Sequence, residues 1–322
     1  MIAALLDRLR QGDRNVLARL LSHAARGEHL AEMQATLLPS PCGRGAGGEG
    51  SFATYARVIA FTGSGGVGKS TLIGKLISVV RAQGHKVAVL ACDPQSPLSG
   101  GALLGDRFRM GSTTDDGVFI RSLAALSGHG ALADHLDVMI RLLEAFGFDV
   151  IFLETVGSGQ GDVEVREFSD VVALLLQPES GDDVQWEKAG ILECADVVIV
   201  HKADLPTADQ TAAQVQAALD LSPARHVPVV RVSTKANRGH AELWQTIESL
   251  PLRRKNTTAA RQLFQLALGA LEENFRAAEK QHDPELLKLA DAWQRGALSL
   301  AEAAATLMHL LTLRSADVKP VN

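Results

Sequence analysis

The sequence has few cysteines, and its histidines do not cluster. Its three cysteines, Cys42, Cys92 and Cys194, are far apart and form no C-x-x-C pair. This spacing argues against a disulfide framework and a four-ligand zinc site, and it favours reduced thiols. The ten histidines are equally scattered, without the His/Cys tract that would suit nickel or zinc delivery. Metal carriage is therefore disfavoured, although it stays open as an alternative.

The sequence also lacks a long apolar run and an excess of basic residues. No stretch approaches the ~18 apolar residues that are needed to span a bilayer. The N-terminus, MIAALLDRLRQGDR, is typical of an amphipathic helix without a signal-peptide cleavage site, so we expect a cytoplasmic protein. The 32 Lys and Arg residues against 37 Asp and Glu give a net charge of -5. We therefore expect no nucleic acid or membrane partner, while protein partners remain open.

What the sequence does contain is an alternation of short apolar runs and helical patterns. Of its 322 residues, 46% are hydrophobic, which is enough for one large α/β core with helical additions. Continuous apolar strands separated by helices predict a mostly parallel, doubly covered sheet of about seven strands. The predicted strands are VIAF at 58, VAVLAC at 87, VFIRSL at 118, VIFLETV at 150, VVALLLQ at 171, VVIVHK at 197 and VVRVS at 229.

Helical patterns flank this α/β core, which we place at residues 57–251. Residues 1–38 predict an N-terminal helical arm, in which Asp13 is placed to cap the second helix. Residues 39–56 are rich in Gly and Pro and predict a linker. Residues 252–322 show helical spacing only and predict a C-terminal helical arm.

The segment after the first apolar run matches the phosphate-binding pattern G-x-x-x-x-G-K-[ST] at every fixed position. Its glycines allow the tight turn in which backbone N–H groups and a helix N-terminus point at phosphates. Lys69 would add a positive charge, and Ser70 a hydroxyl ligand for Mg²⁺. The sequence therefore predicts a P-loop protein that binds a nucleoside triphosphate through Gly63, Ser64, Gly65, Gly66, Val67, Gly68, Lys69, Ser70 and Thr71.

Two acidic residues stand at the carboxyl ends of predicted strands, where ligands bind in open α/β sheets. Asp93 ends the second strand and Glu154 the fourth. A Mg²⁺ ion on the β and γ phosphates needs a hydroxyl from the loop and a nearby carboxylate, so Ser70, Asp93 and Glu154 form a candidate set. Gly157 would let a backbone N–H group approach the γ-phosphate.

The choice of base is predicted at the end of the sixth strand. His201, Lys202 and Asp204 lie close to the guanine-reading pattern N-K-x-D, in which the carboxylate accepts hydrogen bonds from N1 and N2 of guanine. This pattern favours GTP over ATP. His201 stands where an Asn is usual, so an imidazole must replace the amide contacts or they are lost. Further along the chain, a base pocket could be completed by Ser233, Thr234 and Lys235.

Together these segments resemble the GTPase chaperones of adenosylcobalamin-dependent methylmalonyl-CoA mutase, the MeaB/ArgK/MMAA-type family of P-loop GTPases. The resemblance runs from about Gly12 to Gly239. Its specific pieces are GDR at 12, the phosphate loop, DPQSPLSGG at 93, LGD at 104, ETVGSGQ at 154 and GDD at 181.

The resemblance implies a function and a wider set of site residues. It implies Mg²⁺ contacts from Ser70, Asp93, Asp106 and Glu154. It also implies switch loops around 93–110, 154–165 and 178–190, a homodimer formed by the C-terminal helices, and a low intrinsic turnover that the client raises.

The residues themselves agree with slow turnover, because Ser158 stands where many GTPases carry a water-orienting Gln. Stabilising the transition state then needs a group brought in by a mobile loop. The candidates are Gln160, Gln185 and Lys188, and Lys69 is the catalytic residue that the phosphate loop itself supplies.

The leading hypothesis is a Mg²⁺-dependent GTPase that gates cofactor loading or protection of an adenosylcobalamin-dependent acyl-CoA mutase. The alternatives are a metal-delivery GTPase of the same class and a small-molecule kinase or transport-associated ATPase. Dimeric sheet ATPases with a similar loop carry a lysine at its second position, and here that residue is Ser64. The dimeric ATPase is disfavoured for this reason.

Overall fold

The α/β core is built on a seven-stranded parallel sheet. The structure is a computed structural model and describes residues 2–37, 55–94, 115–125, 135–156, 165–178, 189–221, 226–253 and 259–315. The strands are β1 (Arg57–Thr62), β2 (Val87–Pro94), β3 (Val118–Ala125), β4 (Val150–Glu154), β5 (Val171–Leu176), β6 (Val197–His201) and β7 (Val229–Val232). Their order across the sheet is β3-β2-β4-β1-β5-β6-β7, and every pairing between them is parallel. The predicted sheet is confirmed.

Helices cover both faces of this sheet. Those of the α/β core are α4 (Lys69–Ala82), α5 (Leu136–Phe146), α6 (Val165–Phe168), α7 (Ala189–Cys194), α8 (Ala208–Asp220) and α9 (His240–Ser249). Because successive strand residues point to opposite faces, β1 sends Val58 and Ala60 to one side and Ile59 and Phe61 to the other. The first pair belongs to a core shared with α5, and the second to a core shared with α4 and α9. This is the doubly covered arrangement that continuous apolar strands predict.

Three N-terminal helices, α1 (Ile2–Arg10), α2 (Arg14–Ala25) and α3 (Leu30–Leu37), pack into the core on the α5 side. Asp13 caps α2 as predicted, since its carboxylate accepts the backbone N–H groups of Asn15 and Val16. Arg14 donates to the carbonyl of Val118 at 2.5 Å. These contacts hold the start of α2 against the edge strand β3.

The chain divides into two compact units, Met1–Asn256 and Thr257–Asn322. The second contains α10 (Ala259–Lys280), α11 (Pro284–Gln294) and α12 (Leu300–Ser315). Within it, Asp283 caps α11, and Asn274 donates to the carbonyl of Leu311 at 3.0 Å, which joins α10 to α12. In the described ranges, no helix is both long and apolar enough to cross a membrane. The domain bounds given above stay predictions.

Candidate nucleotide-binding site

The phosphate loop leaves the sheet at its middle strand, β1, between β4 and β5. Gly63 has φ 142°, and a Cβ atom there would lie 2.4 Å from the carbonyl oxygen of Leu175. Gly68 has φ 102°, and its Cβ atom would lie 2.6 Å from Cε1 of His201. Both positions therefore require glycine because of backbone angle and space together. Gly68 is also the N-cap of α4 and supplies no side-chain cap, and a helix N-terminus that follows a glycine loop suits an anion.

Lys69 is buried within the loop that precedes it. Its Nζ atom donates to the carbonyl of Gly63 at 2.9 Å and to that of Ser64 at 3.3 Å. The ammonium group is thus held over the loop by backbone oxygens, which are weaker partners for a cation than phosphate oxygens. This arrangement keeps a positive charge beside the helix N-terminus.

A hydroxyl and a carboxylate meet next to the loop. The Oγ atom of Ser70 donates to Oε1 of Glu154 at 2.7 Å, and both side chains are buried. The contact joins the first turn of α4 to the end of β4, as the predicted strand-end placement requires. Asp93 lies at the end of β2, opposite Ala124 in β3, and its side chain is outside the described part of the chain. A hydroxyl beside a carboxylate is a donor pair of the kind that suits Mg²⁺.

His201, at the end of β6, connects two segments of the site. Its Nδ1 atom lies 2.8 Å from the carbonyl oxygen of Val67, in the phosphate loop. Its Nε2 atom lies 2.9 Å from Oγ1 of Thr234. Burial lowers the pKa of His201 below its ordinary value, and nearby Lys202 acts in the same direction. The ring is therefore neutral near pH 7.

Asp204 is exposed and is held by a neighbouring hydroxyl. Ser233 donates to Oδ1 of Asp204 at 2.5 Å, and the backbone N–H group of Ala236 donates to the Ser233 hydroxyl at 3.0 Å. The hydrogen bond from Ser233 lowers the pKa of Asp204, with a smaller contribution from Lys235. The carboxylate is thus ionised, oriented and open to solvent, as an acceptor for guanine N1 and N2 must be.

Lys202 adopts a left-handed backbone conformation, with φ 55°. Its Nζ atom donates to Oε1 of Gln177, at the end of β5, at 2.8 Å. This contact spans the carboxyl ends of two adjacent strands and fixes the turn between His201 and Asp204.

Comparisons with known proteins identify the class of this site. A family profile described as methylmalonyl-CoA mutase-associated GTPase MeaB matches residues 50–267. The chain belongs to the MeaB family. A protein of Pyrococcus abyssi that carries the name of a GTPase is 41% identical over 256 residues, which are 77% of this chain and 75% of that one. The family recognition and the prediction of a GTPase are confirmed.

Two other similarities of this MeaB-family protein bear on its fold and its relatives. A protein of Nocardia farcinica named fused isobutyryl-CoA mutase is 43% identical over 148 residues, which are 45% of this chain and 14% of that protein. The crystal structure of a LAO/AO transport system kinase superimposes with a TM-score of 0.54 at 23% identity and covers 96% of this chain and 97% of that one. This structural likeness shows the P-loop fold. As a P-loop GTPase, the chain binds guanine nucleotides, and the loop and the Asp204 segment are its candidate contacts.

Several predicted site residues of the MeaB-family chain lie outside the described residues. They are Asp106, Gly157, Gln160, Gln185 and Lys188. Their predicted roles stay predictions. Among the described ones, the structure brings the phosphate loop, Ser70 and Glu154 together at the end of β1. It places His201, Lys202, Asp204, Ser233, Thr234 and Lys235 in adjoining segments at the ends of β6 and β7.

Two residues at the site were not predicted from the sequence. Gln177 orients Lys202, and it could have been found as the polar residue that ends the otherwise apolar strand VVALLLQ. His240, whose Nε2 atom lies 3.4 Å from Oγ1 of Thr234, gave no comparable signal. It opens α9 after a glycine, and nothing in that local pattern indicates the partner across the turn.

Proposed function

We propose that this GTPase uses Mg²⁺ and gates cofactor loading or protection of an adenosylcobalamin-dependent acyl-CoA mutase. The observation that supports Mg²⁺-dependent GTP hydrolysis is the contact between Ser70 and Glu154 beside Lys69. It gives the loop the charge and the donor pair that Mg²⁺-assisted phosphoryl transfer requires.

In this proposal the residues near the loop have separate roles. Lys69 leaves the carbonyls of Gly63 and Ser64 for phosphate oxygens when nucleotide binds. Ser70 and Glu154, with Asp93 and Asp106, would hold Mg²⁺ directly or through water, and the ion would neutralise charge that develops on the phosphates.

Recognition of the base is proposed for Asp204, because its carboxylate is exposed and fixed by Ser233. Lys235 would lie over or beside the base, and its charge already favours the ionised carboxylate. Lys202 supports the turn through Gln177.

Hydrolysis would need a further group at the γ-phosphate. We assign this to Lys188, Gln185 or Gln160, with the N–H group of Gly157 sensing the γ-phosphate. A GTPase without a fixed water-orienting side chain turns over slowly until a partner orders its loops. The nucleotide state would then alter affinity for that partner through the same loops.

The proposed client is supported by the family and by one relative. The family description names association with methylmalonyl-CoA mutase, and a mutase of Nocardia farcinica contains a stretch that is 43% identical to this chain. A GTPase segment within a mutase chain supports association of the two activities. We also propose a homodimer through the C-terminal helices, where apolar side chains are exposed at Phe264, Leu268, Leu287 and Trp293.

The test is a pull-down from native lysate with the protein loaded with a non-hydrolysable GTP analogue or with GDP. We expect a cobalamin-dependent mutase to be recovered in a nucleotide-dependent manner. Lys69→Ala should abolish recovery that depends on nucleotide, whereas Lys86→Ala, an exposed lysine at the opposite end of the sheet, should not. Failure to recover any cobalamin enzyme in either state would refute the proposed client.

Two hydrolysis assays test the proposed reaction. Lys188→Ala should lower partner-stimulated hydrolysis while sparing binding. Release of all γ-phosphate as inorganic phosphate would distinguish hydrolysis from a kinase reaction.

A further inference from the structure

Both ring nitrogens of His201 are occupied by protein atoms. The carbonyl oxygen of Val67, 2.8 Å from Nδ1, can only accept, so Nδ1 carries the proton. In the neutral ring, Nε2 is then an acceptor, and the hydroxyl of Thr234, 2.9 Å away, donates to it. The hydrogen-bond chemistry selects one tautomer.

A second histidine extends this arrangement. The single proton of the Thr234 hydroxyl points to His201, so the weaker 3.4 Å contact with Nε2 of His240 needs a proton on that nitrogen. Val67, His201, Thr234 and His240 therefore form a continuous chain from the phosphate loop to the start of α9.

The ring of His201 also fills the space beside the loop backbone. It is 4% exposed, and a Cβ atom on Gly68 would lie 2.6 Å from Cε1 and 2.7 Å from Nδ1. Neither ring nitrogen has a hydrogen-bonding position left for a ligand. Asp204, three residues on, is by contrast exposed.

We propose that His201 is a positioning residue that ties the phosphate loop to the base-reading segments through the neutral imidazole protonated on Nδ1, and that it does not contact the base. It holds Val67 and Thr234 at a fixed separation, so the phosphate contacts and the guanine contacts are presented together. This inference rests on guanine-nucleotide binding at this site. It assigns a role to a histidine that stands where the guanine-reading pattern usually has an Asn.

The charged groups around the ring agree with a neutral imidazole. Lys202 and Asp204 act on it from its own loop with opposite signs, and His240 faces it from α9 with Lys75 of α4 nearby. Burial is the largest influence and disfavours the imidazolium, as it does for His240.

Matched variants separate the two ring contacts. Asn can place its amide nitrogen near the position of Nδ1, where it donates to Val67, and Gln can place its amide oxygen near that of Nε2, where it accepts from Thr234. His201→Asn should therefore keep the Val67 contact and His201→Gln the Thr234 contact. His201→Ala removes both, and His226→Asn, at an exposed site before β7, is the control. Affinity for GDP and for inosine diphosphate, which lacks the 2-amino group, is measured for each variant.

We expect His201→Ala to weaken both nucleotides by the same factor, about tenfold to a hundredfold for two lost hydrogen bonds. His201→Asn should recover most of that loss, and His201→Gln a smaller part. Asp204→Asn should instead reduce the preference for GDP over inosine diphosphate. ¹⁵N NMR of the wild-type protein at neutral pH should show His201 protonated on Nδ1 and not on Nε2.

Three results would overturn the inference: a changed nucleotide preference in His201→Ala, recovery by neither amide, or an Nε2 proton in the wild-type spectrum. The NMR result does not depend on whether the alanine variant folds. Absence of GDP binding by the wild-type protein at neutral pH would instead count against the nucleotide site itself, so the two failures are distinguishable.

Discussion

At the amino ends of the strands, aspartates accept backbone N–H groups of the neighbouring strand, whereas at the carboxyl ends the buried polar side chains surround the phosphate loop. Asp170 accepts from Val58 at 3.0 Å, and Asp196 accepts from Val172 at 2.8 Å. Asp149 accepts the N–H group of Lys86, the residue just before β2, at 2.7 Å. Each aspartate stands immediately before a strand, so the same hydrogen-bonding arrangement recurs at the amino ends of β4, β5 and β6.

The comparison shows that burial of a charge does not by itself indicate a ligand site. Asp196 is paired with the guanidinium of Arg253 as well as with a backbone donor, so its charge is balanced within the scaffold. Lys69, at the other end, is held by backbone carbonyls beside a helix N-terminus. At the carboxyl ends, a bound phosphate group would therefore supply the charge opposite to that of Lys69. At the amino ends, the aspartates link neighbouring strands of the sheet.

The largest expected effect comes from a substitution in the phosphate loop, at the carboxyl ends of the strands. Lys69→Ala should abolish nucleotide binding, a loss of about a thousandfold or more, because it removes the buried cation of the loop. The control is Lys86→Ala, which removes an exposed lysine at the amino end but keeps the backbone N–H group bound by Asp149. Titration with a fluorescent GDP analogue measures both. Unchanged affinity in Lys69→Ala would contradict the site.

The next largest effect is expected from a substitution at the amino ends of the strands. Asp196→Ala leaves the guanidinium of Arg253 and the N–H group of Val172 without their carboxylate, so we expect the free energy of unfolding to fall by about 3 kcal/mol. Denaturant unfolding measures this loss. Nucleotide affinity of the folded protein should stay unchanged.

Asp149, the exposed aspartate of this arrangement, serves as the control. Asp149→Ala removes a carboxylate that lies at the surface, so it should lower the free energy of unfolding by less than about 1 kcal/mol. Equal losses in Asp149→Ala and Asp196→Ala would show that the burial of Asp196 and its pairing with Arg253 do not matter.

A third effect tests the meeting of Ser70 and Glu154. Glu154→Gln keeps the shape of the side chain and removes its charge, so kcat for GTP hydrolysis should fall by about tenfold to a hundredfold and more Mg²⁺ should be needed for half-maximal rate. Nucleotide affinity without Mg²⁺ should change far less. A variant with unaltered Mg²⁺ dependence would remove Glu154 from the proposed metal set.

The parallel sheet and the phosphate loop could be predicted from sequence because their signals are local. Continuous apolar runs follow from burial on both faces, and the loop needs glycines at fixed spacing, as at Gly63 and Gly68. The amino-end aspartates gave no such signal. Asp170 and Asp196 each precede a strand, but the N–H groups that donate to them, those of Val58 and Val172, lie on other strands, 112 and 24 residues away. Only the order of strands reveals these partners.

The same limit applied to His201. From the sequence it could only be described as a departure from Asn, with its contacts replaced or lost. Its two partners, Val67 and Thr234, lie 134 and 33 residues away and meet it only through the fold. Sequence patterns therefore describe least well those site residues whose partners are distant along the chain.

The smallest expected effect is a pH dependence of stability at the carboxyl end. Burial lowers the native pKa of both His201 and His240, so protons bind more readily to the unfolded chain as pH falls below the ordinary histidine value of about 6.5. The stability due to the neutral rings is present above that pH and is lost as the pH falls from there towards the native pKa values. His201→Asn should therefore show a shallower decline in unfolding free energy between about pH 7 and pH 5.5 than the wild-type protein, by at most about 1.4 kcal/mol per pH unit. The exposed His226→Asn should follow the wild-type curve. Because carboxylates affect all three proteins alike, a His201→Asn curve parallel to the wild type would show that this ring takes up its proton in the native state as easily as in the unfolded chain.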